Sequence, residues 1–551
     1  MNYNILIGGA AGQGMNTLSK ILSKGLKRHG YHLLTNTVYM SRIRGGHNYF
    51  QIRFSDEKVT SHRDDLDLIL ALNQETITLH QERLNASGYI LGDLSLESDK
   101  QTVFLPAKTQ AKEIGHMKGD NIILLGALVK LFQLDPTVFP PLLKASFKAS
   151  FYDLNLKAFE VGYSLGKNLF QTGPITEDEQ IYINGNTSIA LGAITAGMGA
   201  FSAYPMTPST SIMNALLDRQ KDAGFLVEQA EDEIAAIHIA LGASAAGVRS
   251  MTASSGGGLA LMVEALGLTA ITETPLVIVD VMRPGPATGM PTKTGQSDLS
   301  FLLSASQDEF PRIILAPRDA QDAFYQTIRA FDMADRFQVP VIILSDQYLA
   351  DTSITTDKFN FNIDYNQHLA RAEDLPLPYA RYDYSDTGVS PRLIPGFQAQ
   401  PIIADNHEHD IYGKIAEDAQ TRVQMHDKRL KKLETIKAHI EEPTWIGPQD
   451  APSVLIGFGS TSGAIEEAVL GLNDAGHAIA GLIFSDVYPL ATDKLDQIKD
   501  RRLINVELNA TGQLARLIRM ETGIKMSDQI LKYDGLQLSA QELMEVLYER
   551  L

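Results

Sequence analysis

Residues 250–268, SMTASSGGGLALMVEALGL, and 275–285, PLVIVDVMRPG, decide the fold. A short strand of small and apolar residues runs into Ser254, Ser255 and three glycines. A helical stretch follows. Then comes an apolar strand that stops at Arg283-Pro-Gly. Strand, helix, strand in that order reads as a βαβ unit. Strands that are apolar at nearly every position suit a parallel sheet covered on both faces. The same alternation extends outward on both sides. Upstream lie INGNTSIALGAITAG, FSAYPMTPST, FLVEQ and a long Ala-rich helix from Glu231 to Gly247. Downstream lie PRIILAP and VPVIILSD.

The chain has 551 residues, too many for one hydrophobic core. Four segments are expected: α/β units over 1–175, 176–350 and 450–551, with a connector over 351–449. In the first, NILIGG is a strand, GAAGQGMN a Gly-rich turn, and TLSKILSKGLKRHG an amphipathic helix stopped by Gly30. YFQIRFS, LDLILAL and GYILGD are further strands, so an open sheet is predicted. The connector is proline-rich at LPLPY, SPRLIPG and QAQP, and it leads into one charged surface helix. The last segment opens with the strand PSVLIGFGS and the helix TSGAIEEAVLGLNDAG.

Hydrophobic residues make up 44% and charged residues 21%, as in ordinary globular proteins. The net charge of −18 argues against nucleic acid as a partner. No run of about 18 apolar residues predicts a membrane span, and the start has no signal-peptide pattern. Cytoplasmic location is therefore the expectation. There are no cysteines, so this chain offers no thiolate for an iron–sulfur cluster or zinc. Any electron-transfer centre of that kind belongs to another chain.

Five places could carry chemistry. Gly8, Gly9, Gly12 and Gly14 lie between a strand and a helix start, where bare amides favour an anion. A tight structural turn and a phosphate site both fit. Arg42 and Arg44 in SRIRGGHNY could add guanidinium contacts, or could form an interface loop. In AYPMTPST two prolines stiffen a turn that presents Thr207, and Ser209, Thr210 or Ser211 could cap the next helix. Glu228, Glu231 and Glu233 gather near a helix start, which the dipole alone would favour; one of them could serve proton chemistry. Ser254 and Ser255 precede glycines whose amides could approach a ligand closely. No Gly-x-Ser-x-Gly elbow is present, so a hydrolase reading is poor. Arg283 and Lys293 sit in RPGPATGMPTKTGQSD, past a strand's carboxyl end, where open sheets bind ligands. His407-Glu-His409-Asp has no second ligand cluster nearby, so a solvated loop is favoured over a metal site.

Taken together, YPMTPSTSI, EDEIAAIHIALGASAAG, SMTASSGGGLALMVEALG, RPGPATGMPTKTGQSDL, DTGVSPRLIPG and NATGQLARLIRMETG resemble the alpha subunit of 2-oxoacid:ferredoxin oxidoreductases. The 2-oxoglutarate type, with a gamma-like domain fused at the N-terminus, is the nearest in pattern. The resemblance spans nearly the whole chain. It implies three open α/β domains: a gamma-like catalytic domain, a pyrimidine-binding thiamin diphosphate fold, and a transketolase C-terminal-like domain. It also implies oxidative decarboxylation of a 2-oxoacid to the acyl-CoA, with electrons passed to ferredoxin. Thiamin diphosphate would be shared with a beta subunit that carries Mg²⁺, the diphosphate site and an iron–sulfur cluster, in a hetero-tetramer. Coenzyme A would be cosubstrate.

By this resemblance Glu233 is the carboxylate that activates the aminopyrimidine, with Glu231 as rival. Thr207 and Arg283 would meet the substrate carboxylate, and Tyr204 would shape the same wall. Ser254, Ser255, Gly256 and Gly257 would lie against the cofactor. Gly257 stands where the family usually has proline. Gly9, Gly12 and Gly14, with Arg42 and Arg44, are the candidates for coenzyme A phosphates. Lys293, Arg392 and Arg44 are the candidates for a distal substrate carboxylate. Asn509 to Arg516 would be interface and packing. Pyruvate, branched-chain or indole oxoacids are the alternative substrates, in another two-chain thiamin enzyme.

Overall fold

The computed structural model describes residues 1–40, 46–173, 179–396 and 401–550. The chain forms two compact units. The first comprises Met1–Ile183, Thr352–Lys358 and Ser539–Leu551; the second comprises Asn184–Asp351 and Phe359–Leu538.

The first unit is built on an eight-stranded sheet. Asn2–Ala10 is central. On one side it pairs in parallel with Leu66–Ala71, and Leu84–Asp93 and Thr102–Leu105 continue that direction. On the other side His47–Ser55 and His32–Val38 run antiparallel. The open sheet expected for this segment is thus present as a mixed one. The helix Met15–Arg28 carries its apolar residues at helical spacing, and Leu18, Ile21, Leu22 and Leu26 are all buried. It ends at His29 and a left-handed Gly30.

Two distant pieces return to this unit. Ser353–Thr356 pairs antiparallel with His32–Val38. The last helix, Ala540–Tyr548, begins with a capping box between Ser539 and Glu542. Ser539 Oγ also donates to Asp64, and the Ala540 amide donates to Ser61 Oγ at 3.1 Å. The units therefore do not follow the four expected segments one for one: parts of the connector and of the last segment belong with the first unit.

The second unit contains a seven-stranded sheet in the order Asp486–Tyr488, Ile313–Leu315, Pro340–Asp346, Leu276–Met282, Ser250–Ser254, Ala200–Ala203, Leu226–Gln229. All neighbours are parallel except the edge strand Asp486–Tyr488. Leu276–Met282 and Pro340–Asp346 are buried along their whole length, as fully covered parallel strands require. A five-stranded sheet follows, with Thr444–Ile446 as its antiparallel edge and four parallel strands. Ile314, Ile342 and Leu344 of one sheet share a core with Val454, Ile456 and Phe484 of the other.

The charged stretch after the connector forms the helix Ala419–Lys437, started by Asp418, which accepts from the Thr421 amide. It is more than a surface helix. Lys428, Arg429 and Lys432 are buried because carboxylates are buried with them. Lys428 Nζ lies 2.5 Å and Lys432 Nζ 2.7 Å from the carboxylate of Glu273. Arg429 pairs with Glu408 at 2.7 Å.

Candidate active site

Four loops leave the carboxyl ends of adjacent parallel strands: after Ala203, after Gln229, after Ser254 and after Met282. In open parallel sheets that edge is where ligands bind.

The loop after Ala203 is Tyr204-Pro-Met-Thr-Pro-Ser. Tyr204 is exposed. Arg283 Nη1 donates to the Thr207 carbonyl at 2.6 Å, and Asn186 Nδ2 donates to the Pro208 carbonyl at 2.9 Å. The turn is held from two sides. The expected side-chain cap is absent: the helix Thr210–Leu217 has Ser209 at its N-cap position, but Ser209 already has helical dihedrals, and its hydroxyl donates to the Met206 carbonyl at 2.8 Å.

After Gln229 the chain passes Glu231 and Asp232, both exposed. Asp232 caps the helix Glu233–Ala245 by accepting from the Ala235 amide at 2.8 Å. Only Glu233 is buried, at 4% exposure. That figure separates the two rival glutamates. The Glu233 side chain lies against the turn that follows Ser254. A Cβ at Gly258 would stand 2.7 Å from Glu233 Oε1 and would also strike Ser254 Oγ. Glycine is needed there for close approach. Ser254 Oγ is 3.7 Å from Met206 Sδ, so three of the loops meet. Ser255 Oγ is buried with no protein partner among the described residues.

Beside this turn is a cavity of about 230 Å³, lined by Ser255, Gly256, Gly257, Arg283, Asp298 and Phe301 among others. Its electrostatics are unusual. Burial lowers Arg283, with Asp298 opposing the shift. Burial pushes Asp298 up to about 6 despite the pull of Arg283. Asp280, fully buried in the strand Leu276–Met282, is pushed well above the usual carboxylate range by burial and then by the charge of Asp298. Neither Asp280 oxygen has a hydrogen-bond partner among the described residues.

The structure thus brings together Thr207, Glu233, Ser254, Ser255, Gly256, Gly257 and Arg283. Lys293 does not line the cavity. It is half-buried, its charge weakened by burial, and its Cβ faces Gly535. Asp280, Asp298, Asn186 and Gly258 escaped the sequence reading. A lone carboxylate inside PLVIVDVM was the available signal for Asp280.

Two readings are corrected. Arg392 is no free cation: it donates to the Ser244 carbonyl and pairs with the buried Asp335, which also holds Arg249 at 2.6 Å. His407-Glu-His409-Asp is a solvated loop only in part, with His407 exposed. His409 is fully buried, 3.0 Å from the Ile271 carbonyl, and Glu408 is held by Arg422 and Arg429. Among the described residues no group of three or more His, Asp or Glu could hold a metal ion.

In the first unit Gly12 and Gly14 take left-handed dihedrals, and Gly14 opens the helix without a side-chain cap. Gln13 Oε1 accepts from the Ala10 amide at 2.6 Å, and Asn121 donates to the Gln13 carbonyl. The space beside Gly12 is open. Arg42 and Arg44 lie outside the described residues. Asn509 and Gln513 bond to the loop that leads to Ser300, as packing residues would. No described helix is long and apolar enough to cross a membrane.

A family described as "Pyruvate flavodoxin/ferredoxin oxidoreductase, thiamine diP-bdg" matches residues 191–428. One described as "Pyruvate ferredoxin/flavodoxin oxidoreductase" matches residues 4–165. The 2-oxoacid:ferredoxin oxidoreductase subunit alpha of a Sulfolobus species is 30% identical, over 99% of this chain and 96% of its own. The 2-oxoglutarate oxidoreductase subunit KorA of Mycobacterium tuberculosis is 28% identical, over 98% of this chain and 90% of its own. The structure of the 2-oxoglutarate:ferredoxin oxidoreductase from Magnetococcus marinus, with 2-oxoglutarate, coenzyme A and succinyl-CoA bound, matches with a TM-score of 0.94 at 30% identity. That match covers 100% of this chain and 99% of the other.

Proposed function

The chain belongs to the family of 2-oxoacid:ferredoxin oxidoreductase alpha subunits, and we propose that it decarboxylates 2-oxoglutarate oxidatively to the acyl-CoA, with residues at the carboxyl edge of its seven-stranded sheet as the substrate and cofactor site. It is an oxidoreductase subunit of a multi-subunit enzyme. The partner we infer is a beta subunit that carries Mg²⁺, the cofactor diphosphate and an iron–sulfur cluster, in a hetero-tetramer in the cytoplasm. The absence of any cysteine in this chain supports placing the cluster there.

One observation carries the site: a buried carboxylate, Glu233, pressed against a glycine turn beside a cavity that holds Arg283. Thiamin diphosphate fits this cradle on two grounds. Ser255 Oγ is buried and unpartnered among the described residues, and Gly257, which lines the cavity, leaves open space where a side chain would stand, with only the Ala287 carbonyl near, at 3.7 Å. When bound, it supplies a nucleophilic carbon and an electron sink. Glu233 would hold the proton at the pyrimidine ring nitrogen, in a site where burial excludes water. Ser254, Ser255 and the Gly256–Gly257 backbone would line the ring. Arg283 would bind the oxoacid carboxylate, while its bond to the Thr207 carbonyl fixes its own direction. Thr207 and Tyr204 would complete that wall. Lys293 is the cation offered for the distal carboxylate. The open amide turn at Gly9, Gly12 and Gly14 would receive a coenzyme A phosphate.

The test is co-purification with the adjacent-encoded partner. Dye reduction is then followed with thiamin diphosphate, Mg²⁺, coenzyme A and a panel of 2-oxoacids. Turnover that needs both chains and prefers 2-oxoglutarate supports the reading. Preference for pyruvate, branched-chain or indole oxoacids replaces the substrate. No oxoacid-dependent reduction removes the catalytic assignment.

A further inference from the structure

Two carboxyl groups near Arg283 have no role in the proposed function: Asp298, which lines the same cavity, and Asp280, three residues before Arg283 in the chain. Asp280 lies in a strand that is otherwise wholly apolar, fully buried, with both oxygens unpartnered among the described residues. A charge left unpaired in such a place is far too costly to persist; the group keeps its proton instead. Asp298 lines the cavity with Arg283, and one of its oxygens, Oδ2, is likewise buried and unpartnered. Gly256 comes so close to this carboxyl that a Cβ there would collide with it. Arg283 therefore shares its cavity with a carboxyl whose charge acts on it, and its Nη1 is already turned to the Thr207 carbonyl.

We propose that Asp280 and Asp298 act as a carboxyl pair whose proton sets how freely Arg283 takes the oxoacid carboxylate. Both are positioning residues, and the inference rests on reading Arg283 as the carboxylate anchor. When Asp298 is ionised it competes with the substrate for the guanidinium and repels the incoming anion. When Asp298 is protonated, Arg283 is left to the substrate. Anion binding beside Asp298 thus draws one proton from solvent onto the pair.

Among the described residues the surroundings offer no second titrating group for this role. Opposite Asp280 the neighbouring strands place Ser254 and Leu344. Asp346 lies two residues further on, opposite Met282, and is engaged by Ser460 and the Leu349 amide. Glu233 faces the Gly258 turn. The charges that act on the pair are each other and Arg283. Burial pushes Asp298 up to about 6, and burial and then the charge of Asp298 push Asp280 well above the usual carboxylate range; a buried carboxyl with neither oxygen partnered among the described residues keeps its proton.

The sign follows from linkage. Binding that takes up a proton weakens as pH rises through the free group's pKa, by up to about tenfold per pH unit for one proton. In the two-chain enzyme KM for the oxoacid should rise as pH climbs from about 6 to about 9, with kcat changing less. Asp298→Asn, permanently neutral, should give a KM that stays flat over this range and lies below the wild-type value at the alkaline end. A KM raised equally at every pH, or an unchanged slope in Asp298→Asn, would overturn the inference. A second arm needs no turnover. Infrared spectra of the full chain near neutral pH should show the C=O stretch of a protonated carboxylic acid that Asp280→Asn lacks. Absence of that band in the wild type overturns the pair. A wild-type enzyme with the band but without oxoacid-dependent turnover would fail the functional reading and leave the pair standing.

Discussion

At the scale of single residues, burial distinguishes groups that look alike in sequence. Glu231 and Glu233 are two positions apart at a helix start. One is exposed and the other is shut in against Gly258. If Glu233 holds the cofactor proton, Glu233→Gln should lower kcat by about 10²- to 10⁴-fold, the usual worth of general acid–base groups. The fold should remain, because glutamine keeps the shape. Glu231→Gln should stay near wild type in the same dye-reduction assay, and the reverse pattern would exchange the two roles. Arg283→Ala should act differently. It removes a charged donor to substrate and the bond to the Thr207 carbonyl, a loss of about 1.5–3 kcal/mol. KM for the oxoacid should therefore rise by about 10- to 100-fold, and an unchanged KM with a fallen kcat would remove it as a ground-state anchor. Residue types and motif order made Glu233, Thr207 and Arg283 legible as candidates. Asp280 and Asp298 were not legible, because their meaning lies in what fails to touch them, and a sequence does not display missing partners.

At the scale of elements, the apolar strands and the amphipathic first helix were readable from period and composition alone. Contacts between distant elements were not. The helix Ala419–Lys437 reads as solvated, yet its buried lysines converge on Glu273, which is itself held in a left-handed conformation. Arg381 from the connector donates to the Glu273 carbonyl. Burial alone would raise this carboxyl, but Lys432, Lys428 and Arg381 together hold it far below the usual carboxylate range. One residue thus docks the helix through its carboxylate and the connector through its carbonyl. Glu273→Gln would strand two buried ammonium groups and should cost about 3–5 kcal/mol, read from urea unfolding of the purified chain. A loss under about 1 kcal/mol would mean that water reaches the lysines. The pH dependence has a definite sign. A carboxyl whose folded pKa is depressed stabilises the fold above its unfolded pKa and loses that stabilisation as pH falls. The wild-type advantage over Glu273→Gln should therefore be full at neutral pH and shrink on acidification below about 4.5.

At the scale of the whole chain, three sheets were expected and three are present, but the strand Ser353–Thr356 and the last helix rejoin the first unit. Pairing across hundreds of residues leaves no local signature, so boundaries drawn along the sequence could not foresee it. What the chain lacks is as informative as its topology. It has no cysteine and no Gly-Asp-Gly diphosphate motif, while the cavity beside Glu233 offers burial, hydroxyls and one guanidinium. If this cradle takes the pyrimidine end of thiamin diphosphate, as proposed, and Arg283 is kept for the oxoacid, the charged end must be held by the partner. The diphosphate and its metal normally supply several charge-assisted contacts, each worth about 1.5–3 kcal/mol. Losing two of them costs at least about 3 kcal/mol, or about 100-fold in affinity. Calorimetry on the purified chain alone should therefore find thiamin diphosphate bound at least about 100-fold more weakly than by the two-chain enzyme, with thiamin itself bound almost as well as its diphosphate. Equal affinity in the presence and absence of the partner would mean that this chain holds the diphosphate too, and the division of the cofactor between two chains would have to be abandoned.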